Sequence, residues 1–158
     1  MADVVDKATR SRMMSGIRGK NTGPEILVRK AMHAEGLRFR IHKKNLPGNP
    51  DLVFPKYRAV VFVHGCFWHG HNCRLFKLPA TRTEFWIDKI QRNIKRDVGA
   101  IECLIKSGWR VAIVWECSIK GNKQPPQDTL HPLTIWIKSS NHMRFVLDEH
   151  EGKTSTIF

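Results

Sequence analysis

Acidic residues are scarce in this chain. Only 14 Asp and Glu stand against 27 Lys and Arg over 158 residues, a formal net charge of +13 with a pI near 10.1. A surface so short of carboxylates attracts polyanions and releases their counterions on binding. Nucleic acid is the first candidate partner and an anionic membrane surface the second. Long apolar runs are missing too: the longest, such as Ala59 to Val63, have the length of a strand and cannot span a bilayer. The opening residues Met1 to Lys7 lack the apolar centre of a signal peptide, so no membrane partner and a cytoplasmic location are expected. Cysteine is sparse as well. Four thiols in a reducing compartment read better as metal ligands or free thiols than as disulfides. No internal repeat or low-complexity segment is visible. What remains, 41% apolar and 26% charged residues, suits one globular domain with a sizeable core.

Residues 1–21 are expected to form a basic arm or short helix, with Arg10 to Lys20 carrying a few apolar residues and no evident core face. A helix opens at Thr22-Gly23-Pro24-Glu25, where Thr22 suits the N-cap and Glu25 a capping-box carboxylate; it is expected to stop at Gly36. Strands are expected over Arg38–Lys43, Asp51–Phe54 and Ala59–Val63, with Pro47-Gly48-Asn49-Pro50 between the first two. A long helix spans about Thr83–Lys106. Its apolar stripe of Ile87, Ile90, Ile94, Val98, Ile101 and Ile105 is expected to face a core. A buried strand over Arg110–Glu116 and a helix over Leu133–Lys138 follow, and 139–158 is left as a tail. This order predicts an α/β fold, a mixed β-sheet flanked by helices, with 22–138 as the globular domain.

The densest chemistry lies in His64-Gly65-Cys66-Phe67-Trp68-His69-Gly70-His71-Asn72-Cys73, which packs three histidines, two cysteines and two large aromatics into ten positions. Cys66, His71 and Cys73 have the compact spacing of metal ligands. A fourth ligand from elsewhere would close a tetrahedral structural zinc site, which pins a loop with little apolar mass of its own. Cys117, at the end of a distant strand, is favoured over Cys103, which sits off the apolar stripe of the long helix; free cysteines are the plain alternative.

A second group is hydrolytic. Asp51 begins one strand and His64 ends the next, so the two can meet at one sheet edge. A lone carboxylate there suits Mg²⁺, which keeps waters and binds phosphate oxygens. His64 and His69 are available for proton transfer near neutral pH, and Glu25 can reach the metal's waters from its helix. Each also has a structural alternative: a turn residue, a strand-end histidine, a capping carboxylate. Phe67, Trp68 and Trp86, set among charges and ligands, suit insertion into a weakened base step. Lys89 and Asn93 lie one turn apart, off the apolar stripe, where they can reach base edges. Met14 and Ile17 are the arm's candidates for the minor groove.

Taken together, Asp51, Phe62-Val63-His64, the His64–His69 segment, His71-x-Cys73 and Trp115-Glu116-Cys117 resemble the Vsr family, the very short patch repair endonucleases. The resemblance extends from about Asp6 to Gly121 and includes Arg10-Ser11, Pro79–Trp86 and Gly108–Val111. It implies a restriction-endonuclease-like fold. It also implies Mg²⁺-dependent nicking of one DNA strand beside the thymine of a T:G mispair left by deaminated 5-methylcytosine. By that likeness Asp51 and the backbone carbonyl of Val63 hold Mg²⁺, His64 and His69 act at the scissile phosphate, and Glu25 supports the hydrated ion. Cys66, His71, Cys73 and Cys117 hold structural Zn²⁺. Phe67, Trp68 and Trp86 resemble the family's wedge residues and Met14 and Ile17 its arm contacts, while Lys89 and Asn93 are DNA-contact candidates from their helix position alone, with a solvated face as the alternative. The implied partners are mismatched double-stranded DNA and mismatch-repair proteins, with the chain acting as a monomer. Val63 stands where typical members often carry Thr, a change that a backbone carbonyl survives. The rivals are an endonuclease with a broader mismatch or different sequence preference, and a non-catalytic zinc DNA-binding module.

Overall fold

The computed structural model describes residues 22–149; Met14, Ile17 and the rest of the expected basic arm lie outside them. Helix α1 spans Gly23–Ala34, and the Thr22 side chain accepts a hydrogen bond from the Glu25 amide, capping the helix as its sequence predicts. Strand β1 covers Leu52–Phe54, a single 3₁₀ turn follows at Pro55–Tyr57, and β2 runs over Ala59–His64. Helix α2 spans Thr83–Lys106, β3 Arg110–Trp115, α3 Pro126–Ser139 and β4 Arg144–Leu147. The strands lie in the order β1-β2-β3-β4. The β1–β2 pair is antiparallel, while β2–β3 and β3–β4 are parallel, so the sheet is mixed, as expected.

Side-chain alternation divides the core into two layers. On one face Ala59, Val61, Val63, Ala112, Val114, Phe145 and Leu147 pack under α1 and α3, which supply Val28, Met32, Leu130, Leu133 and Ile137. On the other, Val60, Phe62, Val111 and Ile113 pack under Ile101 and Leu104 of α2. This period of two also places the chemistry. His64 continues the Val60–Phe62 row and faces α2, while the neighbouring residue, Val63, belongs to the opposite face. In the register of β2 with β3, His64 stands beside Trp115.

Four expectations change. The strand over Arg38–Lys43 reduces to an isolated bridge, Arg40 with Val53, because His42 takes a left-handed conformation at φ 55° and turns the chain away. The apolar stripe of α2 is not uniformly buried: Ile87, Ile94 and Val98 are 38–49% exposed, whereas Ile90, Ile101 and Leu104 are buried. The sheet supports α2 chiefly along its C-terminal half, and the rest leans on loop residues. The last helix begins earlier than expected, at Pro126, and carries Pro132 within it. Finally, the sheet takes its fourth strand from residues 144–147, inside the stretch left as a tail. A four-residue strand with one partner carries too short a period to be read from sequence.

Among the described residues no helix is long and apolar enough to cross a membrane.

Candidate active site and metal centre

The end of β2 is where the elements converge. Asp51 precedes β1, and the antiparallel β1–β2 pairing brings it beside the end of β2. Its Oδ2 accepts a hydrogen bond from the Val63 amide at 2.6 Å, while its own amide donates to the Val61 carbonyl at 3.0 Å. Burial pushes the Asp51 carboxyl up to about 7 against the hydrogen bond from the Val63 amide; the Glu25 carboxylate adds to the rise, and Arg29 and His69 oppose it. Glu25, 4% exposed, comes from the first turn of α1 and pairs with Arg29 at 3.1 Å. A cavity of about 430 Å³ opens on Asp51 and Glu25 and carries Arg29, His42 and Lys44 on its wall. A second, of about 660 Å³, contains Glu25 with Val63, His64 and His69. Glu25 is therefore the wall shared by both. Two adjacent carboxylates, one with its proton affinity raised by burial, form a donor set suited to a hard divalent cation, whose charge would favour the ionised form of Asp51.

His64 and His69 meet here as well. Their rings stack with centroids 3.8 Å apart and planes within 2°. Burial drives the His64 imidazole down to about 3, and the neighbouring His69 pushes the same way, so His64 is neutral near pH 7. Its Nδ1 is buried with no hydrogen-bond partner. His69 Nδ1 instead lies 2.5 Å from Asp97 Oδ2. The carboxylate fixes the ring's orientation and leaves Nε2 for a substrate or a water.

Asp97 is a member of this cluster that the sequence alone did not single out. The signal for it exists in the helical spacing: Ile90, Asn93, Ile94, Asp97, Ile101 and Leu104 follow the 3–4 rhythm of one α2 face. A search for apolar positions alone passes over the polar members of that face. Asn93 corrects a second expectation. It is half-buried and does not simply lie on an exposed face, since its amide donates to the Trp68 carbonyl at 2.9 Å. Arg96 in turn donates to the Asn93 side-chain oxygen. Lys89 lies one turn away on the wall of a groove with Arg92, Lys95 and Arg96.

The four expected thiolate and imidazole ligands come together: one ligand atom each from Cys66, His71, Cys73 and Cys117 lie within 4.8 Å of one another. Cys103 is exposed on α2 and stays apart. The Cys117 amide donates to Cys66 Sγ at 3.4 Å, and Cys117 Sγ lies 3.5 Å from His71 Nδ1. Proton sharing with Cys117 pulls the Cys66 thiol down to about 5 and pushes Cys117 up. His71 is braced on both sides: its ring stacks on Trp115 at 4.1 Å, and Nε2 lies 3.6 Å from Asp148. A carboxylate behind a ligating imidazole is the usual outer support of such sites. Gly70 allows the loop to approach α2. Its φ is +63°, and a Cβ there would fall 2.8 Å from both Ile90 and Ile94.

The loop presents Phe67 and Trp68 against Trp86 at the start of α2. Phe67 lies 5.1 Å from Trp68 and 5.4 Å from Trp86, each in edge contact, and all three are only half-buried. Partly exposed rings on a tethered loop offer stacking surface without a large ordering cost. The arrangement can therefore bind a polyanion, bring carboxylates and imidazoles to one point, and press aromatic faces on whatever lies beside it.

Comparison with known proteins points the same way. A family model described as DNA mismatch endonuclease Vsr matches residues 2–75. The chain is 49% identical over 138 residues to the DNA mismatch endonuclease Vsr of Escherichia coli K12, covering 87% of this chain and 88% of that protein. It is 50% identical to the type II nicking enzyme V.XorIIP of Xanthomonas oryzae pv. oryzae over 75% of this chain and 88% of the relative. It is 42% identical to the type II nicking enzyme V.NmeAIP of Neisseria meningitidis over 89% and 99%.

Proposed function

The chain belongs to the Vsr family of DNA mismatch endonucleases, and on that premise we propose that it nicks one strand of double-stranded DNA beside the thymine of a T:G mispair, in very short patch repair. The observation that carries the reading is the meeting of the Asp51–Glu25 carboxylates with the stacked His64–His69 pair at the end of β2. The same mixed sheet with helices on both faces supports the restriction-endonuclease-like reading of the fold.

Hydrolysis of a phosphodiester adds a water oxygen to phosphorus and releases one ester oxygen. A proton must therefore leave the water and another must reach the leaving oxygen. Asp51 and the Val63 carbonyl would hold Mg²⁺, with Glu25 on its waters; when bound, the ion neutralises the charge that develops on the phosphate oxygens. His69, steered by Asp97, offers Nε2 to accept or return a proton. His64, neutral and stacked against it, limits the pair to one positive charge, because two stacked imidazolium rings would repel at this spacing. Cys66, His71, Cys73 and Cys117 would hold Zn²⁺ as a closed structural site with no open position for chemistry. Those four residues, once bound to the ion, would fix the loop that carries Phe67, Trp68 and His69. Phe67, Trp68 and Trp86 would enter the mismatched step, which unstacks at lower cost than a paired one, with Lys89, Asn93 and the arm's Met14 and Ile17 on the grooves. A purely DNA-binding module would gain nothing from burying Asp51 beside Glu25, which favours the hydrolytic reading over that rival.

End-labelled duplexes that differ only in the mispair and its neighbours test the proposal. With Mg²⁺ present, the T:G duplex is expected to yield a single nick in the thymine-bearing strand, and the matched duplex none. Equal cutting of matched DNA, or no product from any duplex, would overturn it.

A further inference from the structure

The cavity that contains Glu25, His64 and His69 has an unassigned feature at its exposed edge. Among the described residues lining it, Lys120 is the only Lys or Arg. Its ammonium lies 3.6 Å from Glu116 Oε1, and its side chain is 65% exposed. With its ammonium end exposed and the partner oxygen at 3.6 Å, the pair is weakly held and the lysine readily exchanges partners. The backbone beneath it is firm. A 3₁₀ turn at Glu116–Ser118 follows β3 directly, and the Lys120 and Ile119 amides both donate to the Glu116 carbonyl, at 2.8 and 3.0 Å. Arg74 then ties the turn to the metal loop, donating to the Cys117 carbonyl at 3.1 Å and to the Lys120 carbonyl. Gly121 closes the clasp: at φ +77° it leaves room for the Arg74 guanidinium, which a Cβ would meet at 3.2 Å. Glu116 also faces inward, with Oε2 3.7 Å from where a Gly65 Cβ would stand.

The geometry points to Lys120 as a phosphate clamp, released from Glu116 by an incoming DNA strand and positioned by the turn that Cys117 begins to anchor. The inference rests on the reading of this cavity as the seat of the scissile phosphodiester. A site lined by carboxylates needs a cation that belongs to the protein to draw in an anionic strand, and Lys120 supplies it at the rim. Glu116 is a positioning residue: it holds the ammonium at the cavity mouth while no DNA is bound. The Cys66–Cys117 centre thus serves two ends of the site at once, the wedge loop on one side and the clamp on the other.

The test uses the full chain and a fluorescent T:G duplex across a range of salt concentrations. Lys120→Gln is expected to weaken binding about five- to tenfold and to lower the slope of log affinity against log salt by about one. In nicking assays KM should rise more than kcat falls. Lys120→Arg should restore both affinity and slope. Glu116→Gln should bind at least as tightly as the unaltered protein, since it frees the ammonium. Thermal melts of the two Lys120 variants should match the unaltered protein, because that side chain is 65% exposed, and Glu116→Gln, which keeps the shape of the half-buried side chain, should melt close to it. Wild-type affinity and salt slope in Lys120→Gln would overturn the clamp. So would a loss in Glu116→Gln as large as in Lys120→Gln, because the pair would then be a structural one. If the unaltered protein nicks no mismatched duplex, the reading of the cavity fails; if it nicks and Lys120→Gln is indistinguishable from it, only the clamp fails.

Discussion

Replacing Asp51 by Asn separates the cost of the site from its use. Asp51 sits in a partly buried cleft with Glu25, and its carboxyl is pushed from the ordinary 3.8 up to about 7. That rise corresponds to an upper bound of about 4 kcal/mol. Residual contact with solvent screens part of this, leaving about 1–3 kcal/mol. The sign follows from linkage. The folded protein holds this proton more tightly than the unfolded chain, so stability is undiminished below about pH 4 and is lost as pH rises through 7. Asn carries no charge to bury, and its side-chain oxygen can still accept from the Val63 amide. In Mg²⁺-free buffer with the thiolate-bound metal retained, Asp51→Asn should therefore be more stable than the unaltered protein at pH 8, by roughly 2–10 °C in melting temperature. The difference should shrink towards pH 5. Adding Mg²⁺ should raise the melting temperature of the unaltered protein and leave Asp51→Asn unchanged, while Asp51→Asn binds mismatched duplex without nicking it. Thermal denaturation by circular dichroism at several pH values, with parallel nicking gels, measures all of this. Melting curves of the two proteins that coincide from pH 5 to pH 8 would refute the assigned burial of charge, and full nicking by Asp51→Asn would refute the metal role.

Three other outcomes are expected. Asp97→Asn should lower kcat by about 10²–10⁴ while leaving duplex affinity near the unaltered value, because His69 loses its orienting carboxylate; single-turnover nicking and binding titrations separate the two quantities. Stripping the metal from the Cys66, His71, Cys73 and Cys117 centre should lower the melting temperature sharply and abolish nicking, with recovery on adding Zn²⁺. An unchanged melt after verified removal would count against a structural metal. Gly70→Ala should destabilise the protein by about 1–3 kcal/mol, since the new methyl meets Ile90 and Ile94 at 2.8 Å on a backbone that already disfavours it; urea denaturation provides the comparison.

Local patterns in the chain were enough for much of this. The cap at Thr22, the turn around Gly48 and the period of β2 follow from short-range sterics and hydrogen bonding, and these bring α1, β1 and β2 into place around Glu25, Asp51 and His64. Spacing alone likewise marked Cys66, His71 and Cys73, because ligands within one loop are close whatever the fold. The charge balance pointed to a polyanion before any element was placed.

Partnerships between distant elements are harder to announce. Sequence position already favoured Cys117 over Cys103 as the fourth ligand; the parallel pairing of β3 with β2 is what carries Cys117 to the cluster, while a place on α2 leaves Cys103 in solvent. Asp97 becomes the partner of His69 only because Gly70 lets the loop settle on α2, across 28 residues of intervening chain. Strand β4 exists only as an addition to the exposed edge of β3, since a four-residue segment gains its hydrogen bonds from a neighbour and has little preference of its own. Sequence determines which residues have the chemistry and which short segments fold in what manner, because those depend on contacts a few residues apart. Which imidazole meets which carboxylate depends on packing two layers onto one sheet, and only the tertiary structure decides that.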